Sequence, residues 1–234
     1  MTGTLSVVAT PIGNLKDISF RAVETLKTVD AIACEDTRQT SKLLQHYEIH
    51  KPLISLHDHN ERQRTPELLE RLQDGESIAL VSDGGTPLIS DPGWRLVHEA
   101  IAAKISVAWI PGATALIGAL VLSGLPTERF VFEGFLPSKP GARRKRLEAL
   151  KSEERTVVLY ESPHRLLKTL REIRDVLGDI SVVCARELTK MFEEIARGTA
   201  SELAAHFETH APRGELVLVL GAGHLATRPP GHEP

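Results

Sequence analysis

Along the chain, short apolar runs rich in β-branched residues alternate with longer stretches in which apolar residues recur with helical period. In the first half, the apolar runs predict strands at Leu5–Ala9, Ala31–Cys34, Leu53–Leu56, Ile78–Ser82 and Ser106–Ile110. The intervening stretches predict helices at Phe20–Thr28, Arg38–His46, Thr65–Asp74, Trp94–Ala103 and Ala113–Ser123. Apolar strands separated by helices are typical of an α/β protein with a mostly parallel sheet that is covered on both faces.

The same alternation resumes after the turn-forming segment Ser123-Gly124-Leu125-Pro126. It predicts strands at Arg129–Glu133, Thr156–Tyr160, Ser181–Cys184 and Leu216–Leu220, and helices at Gly141–Lys151, Pro163–Leu177 and Ala200–Thr209. Thr199 and Glu202 have the spacing of a capping box at the start of the last helix. We therefore predict two α/β domains, 1–124 and 125–223, and a flexible Pro-rich tail at 224–234.

Composition narrows the class of protein further. The chain has 234 residues, of which 41% are hydrophobic, so it is long enough to bury a core and is not a disordered segment. Its two cysteines, Cys34 and Cys184, lie far apart in sequence and indicate a reducing compartment. Neither a signal-like start nor an apolar run of membrane-spanning length is present, so we expect a cytoplasmic protein that enters no membrane.

The net charge of −3 excludes a uniformly basic surface. Residues 139–155 nevertheless hold seven cations against three anions, a local charge of +4. Arg143, Arg144, Lys145 and Arg146 lie near the start of a predicted helix, where cations oppose the helix dipole. This placement favours an anionic partner, and a solvated basic face is the alternative.

Four segments that follow predicted strands are rich in Gly and Pro: 10–14, 82–93, 111–114 and 160–165. Such loops suit a ligand recognised by main-chain groups, because Gly lets the backbone approach closely and Pro fixes its course. Any one of them could be a simple turn. A Rossmann G-x-G-x-x-G after the first strand and a P-loop motif are both absent, which argues against a dinucleotide dehydrogenase and a P-loop NTPase.

The charged cluster Cys34-Glu35-Asp36-Thr37-Arg38 stands at a predicted strand end. Asp36 or Thr37 could cap the helix that follows, and Glu35 or Arg38 could face a substrate.

Two further polar segments are ambiguous. His57 and His59 share one face of an extended segment and could chelate a metal ion, but no third ligand is evident, so we predict no metal site. The segment Arg186-Glu187-Leu188-Thr189-Lys190 is either a solvated ion-pair surface or part of a site.

In order along the chain, these loops resemble those of the tetrapyrrole methylase superfamily, the class III S-adenosylmethionine-dependent methyltransferases. Within it they are similar to the ribosomal RNA small subunit methyltransferase I family, in the motifs at 8–17, 34–38, 81–87, 160–165 and 186–190. The resemblance covers about residues 4–223. Corrin-synthesising relatives have a different first loop, Gly-x-Gly-Pro-Gly-Asp, and a different third loop, Gly-Gly-Asp-Pro. Many members carry a further small helical domain, whereas this chain stops soon after Gly223.

This resemblance implies S-adenosyl-L-methionine as cofactor, bound in a cleft between the two domains. It also implies 2′-O-ribose methylation of a cytidine in 16S ribosomal RNA, and a homodimer. Carried over motif by motif, the expected cofactor contacts are Ile12, Asp83, Gly84, Gly85, Thr86, Ile89, Thr114, Ala115, Tyr160, Glu161, Leu188, Gly214 and Glu215.

Methylation of a ribose hydroxyl benefits from a general base within hydrogen-bond reach. By residue type and loop position the candidates are Glu35, Asp36, Glu161, Glu187 and Lys190, and the sequence does not choose among them. Contacts to RNA phosphates or bases are expected from Arg38, His59, His164, Arg165 and the cluster Arg143, Arg144, Lys145 and Arg146.

Two other functions compete with this reading. The same fold could serve a small-molecule methylase of the corrin or diphthine-forming type, or a nucleotide-binding regulatory module without chemistry. The basic cluster favours small-subunit ribosomal RNA, within the 30S particle, over a small substrate. The charged loops disfavour a module without chemistry.

Overall fold

The computed structural model describes residues 2–221, so the predicted tail at 224–234 lies outside the described residues. The chain divides into two compact units, Met1–Thr114 and Ala115–Pro234.

The first unit is built on a five-stranded sheet in which all neighbouring strands are parallel. The strands follow the spatial order β3-β2-β4-β1-β5. Their bounds are β1 Thr4–Val8, β2 Ala31–Cys34, β3 Leu53–Ser55, β4 Ile78–Val81 and β5 Ser106–Ile110. All five strands predicted for this half are thereby confirmed.

Helices cover both faces of this sheet. Leu26 of α1 and Leu44 of α2 pack into one apolar cluster, whereas Leu68 of α3 and Leu96 of α4 pack into another, with different strand residues in each. The helix bounds are α1 Phe20–Thr28, α2 Thr37–His46, α3 Glu61–Gln73 and α4 Trp94–Ala102. Helix α3 begins four residues before the predicted start, and Pro66 lies inside it rather than at its first turn.

The second unit is built on a mixed sheet in the order β6-β7-β10-β8-β9. Strands β6 and β7 are parallel, and β10 runs antiparallel to both β7 and β8. The strands are β6 Phe130–Phe135, β7 Thr156–Glu161, β8 Ser181–Arg186, β9 Glu194–Thr199 and β10 Leu216–Leu220. The helices are α5 Ala115–Ser123, α6 Pro140–Ala149, α7 Leu166–Leu177 and α8 Ala200–Thr209. The capping box predicted at Thr199 and Glu202 is confirmed.

One strand of the second unit is absent from the sequence prediction. As an edge strand, β9 is partly exposed and lacks the continuous apolar run of its neighbours. The mostly parallel sheet predicted for the first half is confirmed, whereas the sheet of the second unit is mixed.

The turn-forming segment 123–126 predicts a first domain that ends at residue 124 and includes helix α5. In the structure α5 packs on strands β7, β8, β9 and β10, so the division falls at Thr114. The helix is apolar on nearly all sides, so its sequence does not indicate which sheet it covers.

Both cysteines are free and buried, Cys34 in β2 and Cys184 in β8. Burial raises the pKa of both thiols, that of Cys184 to about 12. Among residues 2–221, none of the helices has the length and apolar character needed to cross a membrane.

Candidate functional site

After the strands β1 and β4, the chain continues into helices on opposite faces of the first sheet. These two strands are neighbours, and β1 continues into α1 on one face whereas β4 continues into α4 on the other. The connections that follow them lead to opposite faces of the sheet, and we call the region between the two loops the β1/β4 crevice. In open α/β sheets, ligands bind in this region, beyond the carboxyl ends of the strands.

Main-chain hydrogen bonds join the loops at this crevice. The N–H of Thr10 donates to the carbonyl of Gly85 over 2.8 Å, and the N–H of Gly85 donates back to Thr10 over 3.0 Å. The Thr86 hydroxyl donates to the carbonyl of Ala113, 3.1 Å away, and so ties in the loop after β5. Three of the four Gly/Pro loops predicted to bind a ligand are thus brought together in one unit.

Glycine is required where these loops approach one another. Gly85 has φ +93°, a left-handed conformation that favours glycine. A Cβ atom at Gly84 would lie 3.3 Å from the carbonyl oxygen of Pro11. At the start of the same loop the buried hydroxyl of Ser82 has no hydrogen-bond partner among residues 2–221. A glycine-lined crevice with an unpartnered buried hydroxyl fits a ligand held largely by main-chain groups.

The long loop from Ser82 to Gly93 is held at its far end by α3. The N–H groups of Gly93 and Arg95 both donate to Oε1 of Glu61, at 3.0 and 2.9 Å. The carboxylate of Glu61 thus caps α4, whose own N-cap residue, Gly93, has no side chain to do so. Sequence reasoning missed Glu61. The available signal was a helix start without a Ser, Thr, Asp or Asn cap.

Carboxylates gather beside the crevice, at the ends of β2, β3 and β4. The N–H of Asp36 donates to Oδ1 of Asp83 over 3.0 Å, which joins the loops after β2 and β4. Asp36 is the N-cap of α2, as one of the two predicted alternatives has it, and pairs with Arg38 at 2.7 Å. Hydrogen bonds from Arg38 lower the pKa of Asp36 to about 2.

Glu35 has the opposite electrostatic environment. Partial burial raises its pKa to about 7, and so do the neighbouring carboxylates of Asp83, Asp91, Asp58 and Asp36. Glu35 and Asp36 are adjacent in sequence, yet only Asp36 has a cation beside it.

The two predicted histidines lie at the same sheet edge. The rings of His57 and His59 are 6.0 Å apart between centroids, and Nδ1 of His57 is buried without a hydrogen-bond partner in the described part of the chain. Within residues 2–221, no three His, Cys, Asp or Glu residues are grouped in a way that could hold a metal ion.

In the second unit, Glu161 ends β7 and is 3% exposed. Its carboxylate accepts hydrogen bonds from the N–H of Ser162 at 2.7 Å and the hydroxyl of Thr169 at 2.5 Å, and Nε of Arg165 lies 3.3 Å away. Arg165 also donates from Nη2 to the carbonyl of Leu136 at 2.6 Å. Glu161 and Arg165 thus hold the loop after β7 in place, while His164 beside them is exposed.

Lys190 connects the loop after β8 to the segment before β10. Its ammonium lies 2.8 Å from Oε1 of Glu187 and 2.8 Å from Oε2 of Glu215. These partners raise the pKa of Lys190, and Lys190 lowers that of Glu187, although burial of each side chain opposes its shift. A Cβ at Gly214 would lie 2.1 Å from Oε1 of Glu187. Four predicted site residues of these two segments are therefore in direct contact: Glu187, Lys190, Gly214 and Glu215.

Two other features lie near these segments. The ring of Tyr160 contacts the rings of Phe132 and Phe135, at 5.0 and 5.6 Å between centroids. The hydroxyl of Thr189, next to the buried Leu188, is buried, and no described residue forms a hydrogen bond with it.

The basic cluster is largely neutralised within the second unit. Arg143 is 1% exposed and binds Glu172 through two hydrogen bonds of 2.5 and 2.7 Å. Arg146 binds Glu133 in the same way, and Arg144 lies 3.3 Å from Glu148. The expectation that Arg143 contacts RNA is therefore corrected, because its guanidinium is buried and satisfied internally. Lys145 is exposed and, within the described part of the chain, forms no ion pair.

Comparison with known proteins gives the family. Residues 4–204 match the family described as Tetrapyrrole (Corrin/Porphyrin) Methylases. Over 97% of its length, the chain is 57% identical to the Ribosomal RNA small subunit methyltransferase I of Synechocystis sp., of which it covers 82%. It is 52% identical, over 99% of its length, to the protein of the same name from Pseudomonas aeruginosa, of which it again covers 82%.

A solved structure of a diphthine synthase superposes with a TM-score of 0.73 at 17% identity, covering 94% of this chain and 90% of that one, and so has the same fold. The expected fold class is confirmed by this match. The chain belongs to the tetrapyrrole methylase family and, within it, to the group of ribosomal RNA small subunit methyltransferase I.

Proposed function

We propose that this protein is an S-adenosylmethionine-dependent methyltransferase that methylates the ribose 2′-oxygen of a cytidine in 16S ribosomal RNA. Support comes from relatives named for methylation of small subunit ribosomal RNA, which are 57% and 52% identical to this chain. The observation in the structure that carries the proposal is the main-chain pairing of Thr10 with Gly85 across the β1/β4 crevice.

S-adenosylmethionine supplies an electrophilic methyl group on a sulfonium. The protein must then align the ribose oxygen with that methyl carbon and keep water away. Loops held by Thr10, Thr86 and Glu61 suit this task, because they are fixed before any ligand arrives.

On the first unit we assign the cofactor contacts to Ile12, Asp83, Gly84, Gly85, Thr86, Ile89 and Thr114. On the second unit we assign them to Ala115, Tyr160, Glu161, Leu188, Gly214 and Glu215. The carboxylate of Glu161 is already satisfied by Ser162 and Thr169, so its contribution would come from its main chain. The unpartnered buried hydroxyls of Ser82 and Thr189 support polar ligand contacts in their respective loops.

For RNA contacts we retain Arg38, His59, Arg144, Lys145, Arg146, His164 and Arg165, and omit Arg143. Arg38 is the most open of the paired arginines, since 86% of its side chain is exposed despite its pairing with Asp36. Arg144 and Arg146 would exchange internal partners for phosphates, which makes their net contribution small. Few phosphate contacts predict a modest dependence of RNA affinity on salt. A ribosomal RNA substrate places the enzyme in the cytoplasm.

The proposal is tested with labelled S-adenosylmethionine and either naked 16S RNA or assembled 30S particles. The methyl group is then mapped by nuclease digestion and mass spectrometry of the nucleosides. We expect 2′-O-methylcytidine at one position, with the 30S particle as the better substrate. Label in neither RNA, or label on a base, would refute the proposal.

We also propose that the protein is a homodimer. Trp94 and Ile101 on α4 and Trp109 on the edge strand β5 are each more than 60% exposed, and exposed apolar patches of this kind often form protein contacts. Sedimentation velocity at micromolar concentration should show a dimer, and Trp109→Glu should shift it to a monomer. A monomeric wild-type protein would contradict this assignment.

A further inference from the structure

The carboxylate of Glu35 is unusual among the five candidate proton acceptors. Within residues 2–221, it accepts no hydrogen bond and forms no ion pair. It stands directly after β2, one residue before the N-cap of α2, and is partly exposed. A group in this position is open to a ligand and is not needed to hold the loops together.

The other four candidates are engaged. Asp36 caps α2 and pairs with Arg38. Glu161 is buried, accepts hydrogen bonds from Ser162 and Thr169 and forms an ion pair with Arg165. Glu187 and Lys190 are paired with each other. Each of these four would have to give up an existing partner before it could accept a proton from a substrate.

Charged groups surround Glu35 from three loops. Asp83 and Asp91 belong to the loop after β4, Asp58 to the loop after β3, and Asp36 to its own loop. The cation closest in sequence, Arg38, is bound to Asp36, and the imidazole rings of His57 and His59 flank Asp58. The loops after β2 and β4 are held together by the bond from the Asp36 N–H to Asp83, so this environment is built into the fold.

We propose that Glu35 is the general base that removes the proton from the ribose 2′-hydroxyl during methyl transfer; this inference rests on the proposed function. In that step the 2′-oxygen forms a bond to the methyl carbon. The carbon–sulfur bond breaks with its electron pair remaining on sulfur, which loses its positive charge. The hydroxyl proton passes to the carboxylate of Glu35 and then to solvent.

The electrostatics support this role. A general base works best when its pKa lies near the working pH, and the carboxylates around Glu35 raise its pKa to about 7. The low pKa of Asp36, about 2, makes that neighbour a poor proton acceptor. The same backbone segment thus holds one carboxylate suited to proton transfer and one suited to helix capping.

The test compares Glu35→Gln, Glu35→Asp and a matched control, Glu24→Gln, which removes one exposed carboxylate from α1. Single-turnover methyl transfer to 30S particles is measured from pH 5.5 to 9. For the wild type we expect the rate to rise with an apparent pKa of about 7. Glu35→Gln should be slowed about 100-fold or more and lack this pH dependence. Glu35→Asp should be intermediate and retain it, and Glu24→Gln should match the wild type.

Two measurements separate a chemical role from a structural one. Calorimetric affinity for S-adenosylmethionine should change less than about twofold in Glu35→Gln, since a base acts on the substrate rather than on the cofactor. In cofactor-free protein with ¹³C-labelled glutamate, one carboxyl resonance should titrate near pH 7 and disappear in Glu35→Gln.

A Glu35→Gln variant that keeps methyl transfer within about threefold of wild type and retains the pH dependence would overturn the inference while leaving the proposed function intact. Wild-type protein that labels no RNA would instead refute the proposed function, and the inference with it.

Discussion

The two units treat their charged loop residues differently. At the carboxyl end of the first sheet, Asp36 pairs with Arg38, but Glu35 accepts no hydrogen bond and forms no ion pair within residues 2–221. In the second unit the corresponding residues are paired: Glu161 with Thr169, Lys190 with two glutamates, and Arg143 with Glu172. A paired charge fixes the segments that carry it and is costly to unpair, whereas an unpaired charge that is open to a ligand is available for chemistry. We therefore assign proton transfer to the first unit, whereas the paired charges of the second unit hold its loops in place.

The largest effect is expected when the buried ion pair Arg143–Glu172 of the second unit is broken. Arg143→Met should lower the free energy of unfolding by about 3 kcal/mol, because it leaves the Glu172 carboxylate without its partner. Urea denaturation measures the loss. The control Lys145→Met removes a neighbouring exposed cation and should change stability by less than about 0.5 kcal/mol. If Arg143→Met were as stable as the wild type but bound RNA more weakly, Arg143 would be an RNA-contacting residue after all.

The next largest effect is expected at the crevice of the first unit. Gly84→Val introduces a side chain where a Cβ would already lie 3.3 Å from the Pro11 carbonyl. We expect affinity for S-adenosylmethionine to fall about 30-fold, equivalent to about 2 kcal/mol, by calorimetry. Gly141→Val is the matched control, since nothing lies within 4 Å of its Cβ position. If both variants bound S-adenosylmethionine with equal affinity, the loop that contains Gly84 would not be part of the cofactor site.

A smaller effect is expected from Lys190→Met, which leaves Glu187 and Glu215 without the cation they share. Lys190 is partly exposed, so we expect a loss of stability of about 1.5 kcal/mol and a methyl-transfer rate reduced a few-fold. The pH dependence of the rate should stay as in the wild type, because Lys190 positions a loop and transfers no proton. If Lys190→Met lost the pH dependence of the methyl-transfer rate, the proton acceptor would have to lie in the second unit.

The smallest effect is a pH-dependent gain in stability in Glu35→Gln. The pKa of Glu35 is about 7 in the folded protein and near its ordinary value of 4.5 in the unfolded chain, so the folded state holds this proton more tightly. Wild-type stability therefore falls between about pH 4.5 and 7, and the loss persists above pH 7. Glu35→Gln should be more stable than wild type by about 1 kcal/mol at pH 8, after allowance for solvent screening, and equal to it at pH 4. Thermal unfolding at both pH values measures this, and equal stability at pH 8 would contradict the raised pKa.

Several predictions from the sequence concern local patterns and agree with the structure. The five strands of the first sheet, the capping box at Thr199 and the cap at Asp36 depend on residues close together in the chain. Strand β9 and the domain to which α5 belongs depend on which surface each segment packs against, so the sequence did not predict β9 and assigned α5 to the wrong domain.

The sequence by itself determined the fold class, the glycine and proline loops at the strand ends, and the family, because these follow from local periodicity and from motifs read in order. Only the tertiary structure decided the role of each charged side chain. Arg143 and Arg144 are adjacent in one basic run, yet one is buried against Glu172 and the other is exposed. Glu35 and Asp36 are likewise adjacent, yet one has a pKa of about 7 and the other of about 2. Charge pairing depends on groups brought together from distant parts of the chain, and no local pattern specifies which partners they meet.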